Sequence, residues 1–327
     1  MRVELTDDPA VFRARDWSEV VGADPGGTFF HTPAYLKLWW EEFGRGALMV
    51  ALVEEGGEVV GACCFEAADG TLAFLGGFEV TDYMGPVALP AIDREAMAKE
   101  LMAAVAEGEW DRADLRGLPE GSPWISALAA AASDAGMHVG AGQKDVAPFI
   151  ALPDTFERYL SDLPPKLRHE IRRKERRLRQ EAGDYLIEMS TLDTLPGDMD
   201  RFVELHRDSP GPKGRFMQAG MEIFFRRLAE AFLPPHVFHL AFLEIGEQKV
   251  AGAIGFGFGD TFSLYNSVFD RRFASLAPGM VLVAELIRMA IGSGRRTFDL
   301  LKGDLAYKYR FGAVPRPVRS LALGRPR

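Results

Sequence analysis

The feature that most restricts this 327-residue chain is an order of elements that occurs twice. In the second half, Val237 to Ile245 (VFHLAFLEI) is rich in aromatic and aliphatic residues and reads as a strand. Val250 to Phe258 (VAGAIGFGF) is its hairpin partner across the turn Gly246 to Gln248, and Thr261 to Phe269 follows the Gly259-Asp260 turn. A loop ending in Pro278-Gly279, an apolar helix from Gly279 to Ile291 and a short strand from Thr297 to Leu301 come next. A helical stretch near Leu305 to Arg310 and a last strand, Arg319 to Leu323, complete the set. The first half runs in the same order. Ala47 to Val53 and Val59 to Phe65 pair, Thr71 to Leu75 is third, and the helix Arg94 to Ala106 follows Tyr83-Met84-Gly85-Pro86. The strand Arg112 to Leu115, the helix Trp124 to Ala135 and a strand around Asp145 to Leu152 finish it. This is an α+β chain of two tandem subdomains, 1–152 and 153–327, each a mixed, mostly antiparallel sheet flanked by helices.

One segment belongs to neither sheet. Proline in the first turn and Gly183 at the end bound a helix over 164–182, whose apolar positions are only Leu167, Ile171 and Leu178. Its stretch from Lys166 to Gln180 carries eight Lys or Arg against two Glu in a chain whose net charge is −9. A chain acidic overall is a poor non-specific binder of nucleic acid, yet one dense basic helix can grip phosphates. The bland alternative is a solvated helix laced by pairs such as Glu170–Lys174 and Glu175–Arg179. The adjacent Cys63 and Cys64 point to opposite faces of a strand, which suits a reducing compartment. With no apolar run long enough to span a membrane and no leader-like N-terminus, the expectation is a cytoplasmic protein.

Several familiar chemistries are missing from the pattern. The six histidines show no paired spacing and there is no CxxC, so no metal is expected. Gly255, Gly257 and Gly259 lie inside a strand and its turn, where close packing is the better reading than a nucleotide loop. Asp198 and Asp200 are read as helix N-caps. Ser275-Leu276-Ala277-Pro278-Gly279, leading straight into a helix, presents unpaired N–H groups and a positive dipole end to an anion. A helix start without a ligand would look the same.

Two runs, Y265-N-S-V-F-D-x-x-F-A-S-L-A-P-G279-x-x-L282 and F298-D-L-L-x-G-D304-x-x-Y307-K308-Y-R-F311-G, resemble the C-terminal half of GNAT-superfamily acyltransferases. The closer resemblance is to the BioF2-like, cellulose-biosynthesis acetyltransferases, relatives of the FemAB aminoacyltransferases. The basic helix, from Lys166 through Arg168 and Arg172, is similar to a segment of that wider group. The resemblance covers about 155–312 and implies two GNAT-like subdomains, the second binding the acyl donor and the first on the acceptor side. The glycine-rich pyrophosphate loop of the acetyl-CoA enzymes is reduced here to Gly279, flanked by Pro278 and Met280.

What the resemblance implies is direct transfer of an acyl group from acyl-CoA, acetyl-CoA in the first instance, to an amine on a small molecule such as an amino sugar or cell-envelope precursor. The donor would lie on Asn266, Ser267 and Val268, where splayed strands free an amide, and on Ser275, Leu276, Ala277, Gly279 and Met280. Lys308 would contact a phosphate, or be a solvated helix residue. Tyr307 is the candidate acid for the leaving sulfur, or else an amphipathic core residue. Asp304 and Asp299 are candidate amine binders or bases, although Asp299 could equally cap a turn. Asp82, Tyr83, Lys166, Arg168, Arg172 and Phe216 are candidates for the acceptor. Two other readings stand beside this one: a FemAB-type transferase using aminoacyl-tRNA, and a catalytically degenerate binding module in polysaccharide assembly.

Overall fold

The computed structural model describes residues 1–77 and 79–325. The first eight strands are β1 (Arg2–Thr6), β2 (Ala47–Glu55), β3 (Glu58–Ala68), β4 (Thr71–Phe74), β5 (Val87–Ala88), β6 (Arg112–Pro119), β7 (His138–Ala141) and β8 (Asp145–Val146). They are followed by β9 (Phe149–Ala151), β10 (Tyr185–Met189), β11 (Phe238–Ile245), β12 (Gln248–Phe258), β13 (Thr261–Phe269), β14 (Thr297–Asp299) and β15 (Pro317–Gly324). Between them run helices α1 (Val11–Ala14), α2 (Ser18–Ala23), α3 (Pro33–Phe43), α4 (Arg94–Ala106), α5 (Pro123–Asp134), α6 (Phe156–Asp162) and α7 (Pro165–Ala182). The remaining helices are α8 (Leu195–Arg207), α9 (Pro212–Phe216), α10 (Ala219–Phe232) and α11 (Pro278–Gly292). No described helix is long and apolar enough to cross a membrane.

The strands form two sheets, one in the order β1-β2-β3-β4-β6-β15-β7, the other β10-β11-β12-β13-β14-β9. The duplication is visible in the pairing. In each sheet three antiparallel strands are followed by a helix and then by a strand parallel to the third, β4 with β6 and β13 with β14. Corresponding hairpins are even closed alike. Gly56-Gly57 joins β2 to β3 and Gly246-Glu247 joins β11 to β12, and all four residues carry the positive φ that a two-residue hairpin turn requires. Each sheet buries its own core, with Met97, Leu101 and Val105 of α4 on the first and Leu282, Leu286 and Ile287 of α11 on the second.

Three expectations need correction. The last strand does not complete the second sheet, because β15 pairs antiparallel with β6 and β7. The place beside β14 is taken instead by β9. The compact units are therefore 1–146 with 316–327, and 147–315, not halves divided at 152. Secondly, the helix near Leu305–Arg310 is a single turn over Lys308–Phe311. Thirdly, Asp198 is no N-cap: α8 starts earlier, and its buried carboxylate accepts from Thr194 (2.7 Å) and Lys249 (2.5 Å).

On α7 only Ile171 and Leu178 are fully buried. Glu175 pairs with Arg288 of α11 at 3.5 Å and Glu170 with Arg310 at 3.6 Å, in place of the i,i+4 partners expected for them, while Glu181 keeps an i,i+4 pair with Arg177 at 2.6 Å. Most of the helix's cations face solvent. The glycines of β12 are where close packing is required: a Cβ on Gly255 would stand 2.5 Å from the Phe262 ring, and one on Gly257 2.7 Å from the Arg295 guanidinium. Cys63 and Cys64 are both buried free thiols in β3.

Three imidazoles, His31, His206 and His239, are held in low-dielectric surroundings, and burial pushes each down to about 4. A folded-state value below the unfolded one means that the unfolded chain takes up protons first as pH falls. Urea-unfolding midpoints are expected to be flat above about pH 6.5 and to fall as pH drops from there toward about 4. Replacing His31 or His206 by Gln should flatten that decline, and an unchanged slope in both variants would contradict the assignment.

Candidate active site

The parallel pair β13–β14 is in register only at Thr261–Thr297, Phe262–Phe298 and Ser263–Asp299. A bulge follows at once, since Gly255 of β12 faces Leu264 while Ile254 faces Asn266, leaving Tyr265 as the extra residue. From Leu264 onward β13 keeps β12 on one side and has no described strand on the other. Alternation along the ladder decides which groups face the opening. The Asp270 N–H donates to the Val250 carbonyl at 2.7 Å, so Val268 and Asn266 also face β12, and the N–H and C=O of Ser267 and Phe269 face away. The free amide expected somewhere in 266–268 is thus narrowed to Ser267.

Around that residue the structure gathers chemistry from four elements. The Tyr307 hydroxyl, on a partly exposed side chain, comes near enough to the Ser267 hydroxyl for that serine to hold its pKa down. Its carbonyl accepts from the Lys213 ammonium, which arrives from α9. The Asn266 amide nitrogen lies 2.9 Å from Nε2 of His206 on α8, whose side chain is fully buried. The Phe216 ring is 5.9 Å from that imidazole and 6.3 Å from Phe225, which in turn meets Tyr265 at 5.1 Å. Desolvation raises the Tyr307 phenol above its usual range, with Ser267 opposing, so it remains a proton donor at neutral pH. Tyr307, Asn266, Ser267 and Phe216, singled out on sequence, therefore meet. His206 and Lys213 were missed, because the stretch His206-Arg-Asp-Ser-Pro-Gly-Pro-Lys213 reads only as a turn linking two helices.

The tip of α11 lies past the end of β13. Ala277 is in the left-handed region (φ 54°) ahead of Pro278, and its carbonyl takes the N–H groups of Met280 (3.0 Å) and Val281 (3.3 Å). A Cβ on Gly279 would be 3.3 Å from the Phe269 ring, so the glycine permits the strand end to lie against the helix start. Leu276 is buried in the core and has no open face for a ligand, whereas Ser275 is exposed and Gly279 and Met280 are partly so. Arg310 brings a cation there, 4.0 Å from the Met280 sulfur.

Other candidates turn out to build the loop that carries Tyr307. Lys308 is buried, and its ammonium donates to the carbonyls of Leu301 (2.9 Å) and Lys302 (2.8 Å), which removes it as a phosphate contact. The Asp299 carboxylate is also buried and accepts from the Leu301 N–H at 2.7 Å, a turn cap rather than a base. Together they clamp Leu301, a non-glycine residue at φ 58°, a conformation that costs about 1–3 kcal/mol. Asp304 is exposed and accepts from the Tyr309 hydroxyl at 2.6 Å, not from Tyr307. In the first unit Asp82 and Tyr83 are buried, and Tyr83 lies under Arg316, which donates to its hydroxyl, so they are packed residues and not a ligand loop. On α7, Arg168 donates to the Ser161 carbonyl (3.3 Å), while Lys166 and Arg172 are exposed with no carboxylate within salt-bridge distance among the described residues. No described cluster of His, Cys, Asp and Glu could hold a metal ion.

Comparison with known proteins adds what the chain is similar to. No curated protein matches the sequence. Residues 165–309 match the family model described as an acetyltransferase (GNAT) domain. Among solved structures, a conserved protein of unknown function from Bacteroides thetaiotaomicron VPI-5482 is similar, with TM-score 0.69 at 15% identity, over 99% of this chain and 100% of that one. FemX is similar with TM-score 0.67 at 12% identity, over 98% of this chain and 97% of that one. A tandem GNAT protein from the clavulanic acid biosynthesis pathway has TM-score 0.50 at 11% identity, with both chains covered in full (100%). These likenesses establish the fold, which is like that of FemX and of the tandem GNAT protein, and residues 165–309 are similar to the acetyltransferase (GNAT) domain family.

Proposed function

We propose that this protein is an N-acyltransferase that moves an acyl group directly from acyl-CoA to an amine acceptor. The observation that carries the reading is the open side of β13 at Ser267, where the Lys213 ammonium meets the backbone carbonyl and the Tyr307 phenol comes near the side chain. The amide-bearing arm of the donor would pair with Ser267 and Phe269 as an added strand does, its acyl carbonyl on the Ser267 N–H. Its diphosphate would meet the α11 tip at Ala277, Gly279 and Met280, with Arg310 as the charged partner. The acceptor amine attacks the thioester carbon after losing a proton, the C–N bond forms, the C–S bond breaks, and the thiolate takes the Tyr307 proton. An amino sugar or another cell-envelope amine is the acceptor class we favour.

Two outcomes test this. Calorimetric titration with acetyl-CoA and longer acyl-CoAs should show binding, and no heat with any of them would remove the donor assignment. Tyr307→Phe should lower kcat by about 10²–10⁴-fold with little change in KM for the donor, and unchanged turnover would exclude the phenol as acid.

A second reading, aminoacyl-tRNA as donor, is favoured by the outward cations of α7, where Lys166, Arg172, Arg173 and Arg176 are all exposed. It predicts tRNA binding that weakens steeply with salt and drops at least tenfold, roughly, in an Arg168→Ala, Arg172→Ala, Arg176→Ala triple variant. Salt-independent binding, or none, would dismiss it.

A further inference from the structure

Lys213 is anchored by a tight turn. Gly211 sits at φ 69°, and a Cβ on Gly214 would lie 2.3 Å from the Ser209 carbonyl oxygen, so α9 begins under a fixed geometry. From there the side chain reaches Ser267, far along the chain, on the side of β13 that no described strand covers. Its ammonium is held by a neutral carbonyl, and no carboxylate lies within salt-bridge distance of it among the described residues. Lys213 is exposed overall, but partial desolvation of its ammonium lowers its pKa, and the neighbouring His206, itself kept neutral by burial, supplies no negative charge. The Tyr307 hydroxyl comes near the side chain of the same Ser267. An amine, a strand edge able to orient a thioester, and a phenolic proton donor thus converge on one residue.

We propose that Lys213 is itself an acyl acceptor, a self-modification site at which the ε-amine occupies the position of the substrate amine. This rests on the acyl-CoA reading above. The ammonium first gives one proton to water. The neutral amine, still donating an N–H to the Ser267 carbonyl, attacks the thioester carbonyl carbon. The N–C bond forms, the C–S bond breaks, and the departing sulfur takes the Tyr307 proton, which the proton shed by the new amide nitrogen replaces. The products are an Nε-acyl lysine and the free thiol. An amide is too stable to pass its acyl group on, so the modified chain is blocked: a neutral, longer side chain fills the gap the next donor needs.

The test uses the full chain with acetyl-CoA and no acceptor, followed by peptide mass spectrometry and, on the same sample, calorimetry of acetyl-CoA binding. One acetyl group is expected on the Lys213 peptide, forming at least about tenfold faster than on Lys99 or Lys144, which are exposed as Lys213 is, and slowed in Tyr307→Phe. Lys213→Arg should abolish it while leaving donor binding, and the acetylated wild type should lose turnover. Binding without preference for Lys213 overturns this proposal and leaves the acyl-CoA reading intact. Neither binding nor modification overturns both.

Discussion

The structure turns on the parting of β13 from β14. Backbone amides inside a folded chain are almost always paired, and a strand edge left open is ordinarily covered, charged or bent away. Here the parallel register lasts three residue pairs, a bulge at Tyr265 re-aims the strand, and the rest of β13 is left with one partner. The open groups are not abandoned. Lys213 caps one carbonyl, and the ring of Phe269 closes against Gly279. A strand edge that is both preserved and guarded suits a ligand with amides of its own.

The second constraint is the loop from Asp299 to Phe311. Two ionisable side chains that look chemical in sequence spend their charges on backbone groups of Leu301, holding a left-handed residue no apolar core would enforce. Their work is geometric, and its product is the placement of Tyr307. In the same region Tyr159 donates to the Phe311 carbonyl at 2.9 Å, fixing the far end of the loop against α6. The phenol is thus delivered by a clamp at each end rather than by a long element.

Much of this was legible in the sequence, because hairpins and amphipathic helices announce themselves locally. Two-residue turns with glycine set β2–β3 and β11–β12, and α4 spans the Arg94 to Ala106 expected of it, with Asp93 capping its start. Strand partners further away could not be read: nothing local distinguishes Arg319–Leu323 as a neighbour of β6 rather than of β14. Charge was misleading for a related reason. Lys308 and Asp299 carry the same side chains buried or exposed, and only tertiary contacts reveal that their hydrogen bonds are already committed. His206 and Lys213 lay hidden in a stretch with no periodicity, where the chemistry arises from their arrival at β13 and not from their spacing.

The route of the chain has a further consequence during synthesis. The sheet of the first unit lacks an inner member until β15 is inserted between β6 and β7. Everything from 147 to 315 has been translated by then. The part made first must therefore wait, incomplete, while the part made later closes its own sheet, and the order in which the two units mature is the reverse of the order in which the ribosome emits them.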